Sequence, residues 1–261
     1  MVKLDGWVNL EKITKEIPVT RDVSLEAIFA KQREFLTGLV DKEVLQPFPV
    51  VINSATGQKV IKDFIAAFNE ELVETWEVSL AISQKNGSPN KTDEEEFEKL
   101  IWLFNEEVSD TLHFLVNVSI YSGYSGESVA FLVESAFKNL GFGDIDMGQE
   151  VDIDRMFLMA RYVNSFKGLL QTFKRFKPYE KEPFLWAGTC INSNNYAPLI
   201  EILWYINAEA NKLRNLLKMR YWRNNTLETP MEDYNKQLAD LWMQFMSMLD
   251  LLGYDSVSLF R

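Results

Sequence analysis

From Ser24 onward the apolar residues recur with a helical period. Leu25, Ile28, Phe29, Phe35, Leu36 and Leu39 fall at intervals of three, four and seven, behind a serine suited to an N-cap. Pro47, Pro49 and the stretch Asn53 to Gly57 mark a loop, and the one strand-like run is Pro49 to Ile52. Lys59 to Gln84 reads as one long helix, ended by the break Lys85-Asn86-Gly87-Ser88-Pro89-Asn90. Thr92 with Glu95 forms a capping box that opens a second long helix, to about Ile120. The turn-rich Tyr121 to Gly126 follows, then a helix from Ser128 to Leu140 closed by Gly141, and a loop with glycines and aspartates, Gly143 to Asp154. Arg155 to Phe176 reads as helix, Pro178 to Asn195 as irregular, and Pro198 to about Arg223 as helix. Pro230 opens a last helix, Met231 to Leu252, capped by Gly253; its stripe of Trp242, Phe245, Met246 and Leu249 reads as core. Residues 1–23, interrupted by Pro18, read as an arm. The expectation is an all-α fold, one domain over residues 1–261.

Composition narrows the function. A formal charge of −11 argues against binding to nucleic acid, which needs a basic surface. It leaves room for a nucleotide substrate, since bound cations invert the local field. The single cysteine, Cys190, allows no intrachain disulfide and suits a reducing cytoplasm. No apolar run reaches the ~18 to 20 residues of a membrane span, and the N-terminus lacks a signal-peptide layout. The expected setting is cytoplasmic (the host cytoplasm for a phage-encoded chain), away from membranes. One histidine and one cysteine exclude the usual zinc sites. There is no GxxxxGK[ST], GxGxxG or GxSxG run. Asp144, Asp146, Asp152 and Asp154 do not have EF-hand spacing.

Carboxylates remain. Glu71 and Glu74 on the first long helix, and Glu107 and Asp110 on the second, stand three apart among apolar neighbours. That spacing puts each pair on one helix face, about a turn apart. If the two faces meet, four like charges converge, and burying them without a counter-charge costs several kcal/mol. Oxygen-only ligation suits magnesium, with manganese as a substitute. The alternative is a solvated acidic face, which would suit a helical adaptor. His113, the only histidine, follows Asp110 by three and is assigned to supporting the carboxylates or packing on a base, not to the metal. The acidic run Asp93 to Glu96 lies at the positive end of its helix dipole and is structural.

ExxE on one helix, then Glu107-Val-Ser-Asp-Thr-Leu-His-Phe-Leu-Val-Asn117 on the next, resembles the all-α NTP pyrophosphatases. Within them the chain is most similar to dimeric dUTPases and bacteriophage dCTP/dUTP pyrophosphatases, with MazG-type enzymes more distant. Ser24 to Leu36 looks like the family's first helix, whose glutamine, here Gln32, helps read the base. The resemblance covers about residues 24–125, which would be the metal-binding core. It implies a homodimer that cleaves dUTP, dCTP or both to the monophosphate and pyrophosphate, with the four acids holding magnesium. Gln32 and Asn117 are candidates for base or sugar contacts, because an amide both donates and accepts. The family's phosphate-gripping helix has a Lys-Leu-Asn-x-x-Arg-Gln pattern. Lys212, Asn215 and Lys218 fall close to it, with lysine for arginine and Met219 for glutamine; Arg220 adds charge. On that alignment residues 126–197 are an insertion and 198–261 the C-terminal helices. A rival alignment uses Arg161 to Lys174. Broader or purine specificity, and a non-catalytic nucleotide- or protein-binding module, are the alternative functions.

Overall fold

The computed structural model describes residues 24–86, 94–142, 152–166, 191, 196–220 and 228–254. These form seven α-helices, with no strand among the described residues: α1 (Leu25–Val40), α2 (Ala55–Asn86), α3 (Glu94–Tyr121), α4 (Gly126–Phe137), α5 (Ile153–Phe166), α6 (Tyr196–Leu216) and α7 (Met231–Leu252). The expected arm at 1–23, Thr92 of the capping box, the loop residues 87–93 and 143–151, the expected helix end and irregular stretch at 167–190 (with Cys190 and part of the rival Arg161 to Lys174 segment), and residues 192–195 lie outside the described residues. Among the described residues no helix is long and apolar enough to cross a membrane.

Ser24 caps α1, its hydroxyl accepting from the Ala27 N–H at 3.1 Å. Leu25, Ile28, Phe29, Gln32 and Leu36 form the buried stripe, whereas Phe35 falls off it and is 60 % exposed. The start of α1 crosses the start of α4: Glu26 accepts from the Gly126 N–H at 2.7 Å. A Cβ on Gly126 would lie 2.6 Å from the Glu26 nitrogen, so the crossing needs glycine there.

The expected strand at Pro49 to Ile52 is absent. No neighbouring strand pairs with it; instead the Val50 N–H binds the Tyr121 carbonyl at 3.0 Å, satisfying a terminal carbonyl of α3. The expected loop to Gly57 is also shorter, because α2 already begins at Ala55. Ser54 caps it, accepting from the Gly57 N–H at 3.0 Å while donating to the Val51 carbonyl at 2.8 Å. Gly57 sits in the first turn of the helix because the Val51 carbonyl presses against it; a Cβ would lie 2.2 Å away.

α2 and α3 pack antiparallel as the most extensive helix pair. Phe64 sets their register against Phe114 and Tyr121, with ring centroids 6.4 and 4.7 Å apart. α7 lies at the centre of the assembly and packs on α4, α5 and α6. As expected, Trp242, Phe245, Met246 and Leu249 are core: Trp242 stacks on Phe29 and donates to Ser119 at 3.0 Å, and Phe245 meets Phe68. Arg161 and Asn164 of α5 bind the buried Asp250 of α7 at 2.9 to 3.1 Å. Gly253 ends α7 in the left-handed region, φ 83°. α6 starts at Tyr196, with Pro198 in its first turn, and stops at Leu216 rather than near Arg223. The chain turns there because the buried Gln58 of α2 accepts from the Met219 N–H at 2.6 Å.

Candidate functional site

Midway along the α2–α3 pair, Phe68, Leu72 and Thr75 face Phe104, Val108 and Thr111 in the buried seam. Glu71 and Glu74 lie on one flank of that seam, and Glu107 reaches the same flank from α3. One carboxylate oxygen from each of the three lies within 4.8 Å of the others. Antiparallel packing brings this about: two faces that each carry acids i, i+3 apart meet along one groove. Glu71 and Glu107 are half-buried, while Glu74 is exposed.

The electrostatics follow from this crowding. Burial first, then the charges of Glu74 and Glu71, push the Glu107 carboxyl up to about 7. Its proton is shared in a hydrogen bond to Glu71. Glu71 is itself raised, by burial and by the charges of Glu74 and Asp110, while the bond from Glu107 works in the opposite direction. Glu106 is raised by burial and by Asp110. Three carboxylates crowded together, with only oxygen on offer, are the donor set a hard divalent cation fits.

Of the four expected acids, three converge. Asp110 lies at the rim: its side chain is 48 % exposed, and it faces His113 Nδ1 at 3.5 Å. His113 is likewise exposed and pairs with the acid rather than with the seam. The two expected base-reading amides are found together. Gln32 Nε2 donates to Asn117 Oδ1 at 2.8 Å in a buried bond between α1 and α3. That bond leaves Gln32 Oε1 and Asn117 Nδ2 as an acceptor and a donor outside it. Asn117 follows Asp110 by seven residues, so it stands almost in line with it, about 10.5 Å along α3.

The expected phosphate grip is not beside the carboxylates. Lys212 pairs with Glu209 at 2.7 Å on the exposed side of α6. Among the described residues Lys218 reaches only the Asn215 carbonyl, at 3.5 Å, and Arg220 binds the Leu217 and Met219 carbonyls at 2.8 Å. The reason is the face of α2 that α6 meets. Asn215 and Arg220 approach Lys62, which precedes Glu71 by nine residues, half a turn round the helix and about 13.5 Å along it. Spacing within α6 carries no information about that face. Sequence reading also passed over Thr75, four residues after Glu71, whose buried hydroxyl has no hydrogen-bond partner among the described residues. A threonine inside an apolar stripe was the available signal.

No family model, no curated protein and no solved structure matches the chain.

Proposed function

We propose that the protein is a metal-dependent nucleotide pyrophosphohydrolase that converts a pyrimidine deoxynucleoside triphosphate, dUTP or dCTP, to the monophosphate and pyrophosphate. The observation that carries this reading is the meeting of Glu71, Glu74 and Glu107 on one flank of two antiparallel helices. Its pattern is the ExxE and ExxD arrangement by which the sequence resembles the all-α NTP pyrophosphatases.

Glu71, Glu74 and Glu107 would hold the cation, Mg2+ or Mn2+, with Asp110 adding negative charge at the rim. A bound hard cation neutralises phosphate oxygens and acidifies a water molecule. Glu71, half-buried on the same flank, would orient the attacking water and take its proton. The water oxygen bonds to the α-phosphorus as the bond to the bridging α–β oxygen breaks, and pyrophosphate leaves with that electron pair. Gln32 and Asn117 supply amide groups for the base, and His113 stands beside Asp110 at the edge of the groove. The reading includes a homodimer.

The test is turnover of every dNTP and NTP with magnesium, with monophosphate and pyrophosphate resolved as products. Preferential cleavage of dUTP or dCTP is expected. Equal cleavage of purine substrates would select the broader MazG-like specificity, and nucleotide binding without any turnover would overturn catalysis altogether.

A further inference from the structure

The far side of α2 carries a concentration of the opposite charge. Lys59 and Lys62, one turn apart, meet Arg214 and Arg220 from the end of α6 around a cleft of about 320 Å³. Asp63 is the only carboxylate among the described lining residues, in a chain whose formal charge is −11. Two of the four cations are fixed in place by the fold. Lys62 Nζ donates to the Met219 carbonyl at 2.5 Å, and Arg220 Nη1 donates to the Leu217 and Met219 carbonyls. Each keeps further N–H groups outside those bonds. The other two, Lys59 and Arg214, are exposed and form no ion pair or side-chain hydrogen bond among the described residues. Burial, together with the charges of Arg220, Arg214 and Lys218, pushes the Lys62 ammonium down to about 8. Among the described lining residues only Asp63 opposes that positive charge.

The lining also indicates what would balance it. Four N–H-bearing cations and the amide of Asn215 suit phosphoryl oxygens, with the guanidinium forks suited to two oxygens at a time. Among the described residues no aromatic ring lines the cleft and Met219 is the one apolar lining residue, so they offer no stacking platform for a nucleobase. Its volume is at the lower end of small-molecule pockets, which run from roughly 300 to 1,000 Å³. We propose that this cleft between α2 and α6 binds a short inorganic polyphosphate chain, of two or three phosphoryl groups, at a site separate from the carboxylate cluster. It is independent of the catalytic reading, because Glu71, Glu74 and Glu107 contribute nothing to it.

The test is calorimetric titration of the full chain with inorganic tripolyphosphate in EDTA at low salt, so that the carboxylates have no cation through which to recruit the anion. Binding is expected, weakening as salt is added. Arg214→Ser and Lys59→Ser, both at exposed positions whose loss leaves the fold intact, are each expected to raise the dissociation constant at least about tenfold. Lys42→Ser, a surface lysine outside the cleft, should leave it unchanged. The absence of metal-free binding overturns the proposal, as does an equal loss in Lys42→Ser. A loss in Glu107→Gln with none in Arg214→Ser would assign the anion to the carboxylates and overturn it as well.

Discussion

Glu107 keeps its proton up to about pH 7, where an ordinary glutamate gives it up near 4.5. Between those values the folded chain binds more protons than the unfolded one, so this group's contribution to stability falls as pH rises. Glu71 is shifted in the same direction. In the metal-free protein, Glu107→Gln should therefore stabilise the fold at pH 8 and have little effect at pH 5. After discounting for solvent screening of a half-exposed group, the gain is about 1 kcal/mol. For a chain of this size that raises the melting temperature by roughly 2 to 4 °C. Calorimetry in EDTA across that pH range checks it; a wild-type–variant gap that does not widen with pH is the contrary result. The same substitution should cost at least about a hundredfold in kcat/KM with the preferred nucleotide, since even residues behind a metal ligand cost ten- to a hundredfold. Asp110→Asn, at the rim, should cost about tenfold. Steady-state kinetics with circular dichroism as a folding control separates the two. The acidic residues were legible in the sequence because i, i+3 spacing fixes a face within one helix. That Asp110 stays at the rim while Glu107 turns toward Glu71 was not, because it depends on how far each flank is covered.

At the scale of elements, Gly57 shows where local rules mislead. Read alone, a glycine after Asn53 and Ser54 signals a loop, and within a helix Gly→Ala gains about 1 kcal/mol. Here the Val51 carbonyl would lie 2.2 Å from the added Cβ. Gly57→Ala should instead destabilise the chain by about 2 kcal/mol, as overpacking does. Urea unfolding decides between the two signs. The periodicity of α1, α2, α3 and α7 was readable because each buries one stripe or one whole surface against neighbours. The end of α6 was not, since a side chain 161 residues earlier, Gln58, takes the Met219 N–H that another helical turn would have used. The position of the basic residues was hidden for the same reason: which face of α2 receives α6 is a tertiary choice.

On the scale of the whole molecule, apolar side chains remain outside the core, including Phe131, Trp204 and Leu140 at 63, 69 and 59 % exposure. A homodimer would cover part of such surface. Sedimentation equilibrium at micromolar protein is expected to give twice the 30.3 kDa chain mass. A single species at the chain mass would show that α4 to α7 complete the bundle alone.

The central place of α7 bears on how the protein comes to be folded at all. Phe29, Phe68 and Ser119 each find their partner in a helix that begins at Met231. On the ribosome, α1 to α6 emerge with their shared apolar seam unfilled, and local helix formation cannot close it. Contacts this distant along the chain make folding slow and leave the growing polypeptide open to association with other chains. A chain truncated before Met231 is thus expected to yield a sticky helical intermediate rather than a smaller working protein.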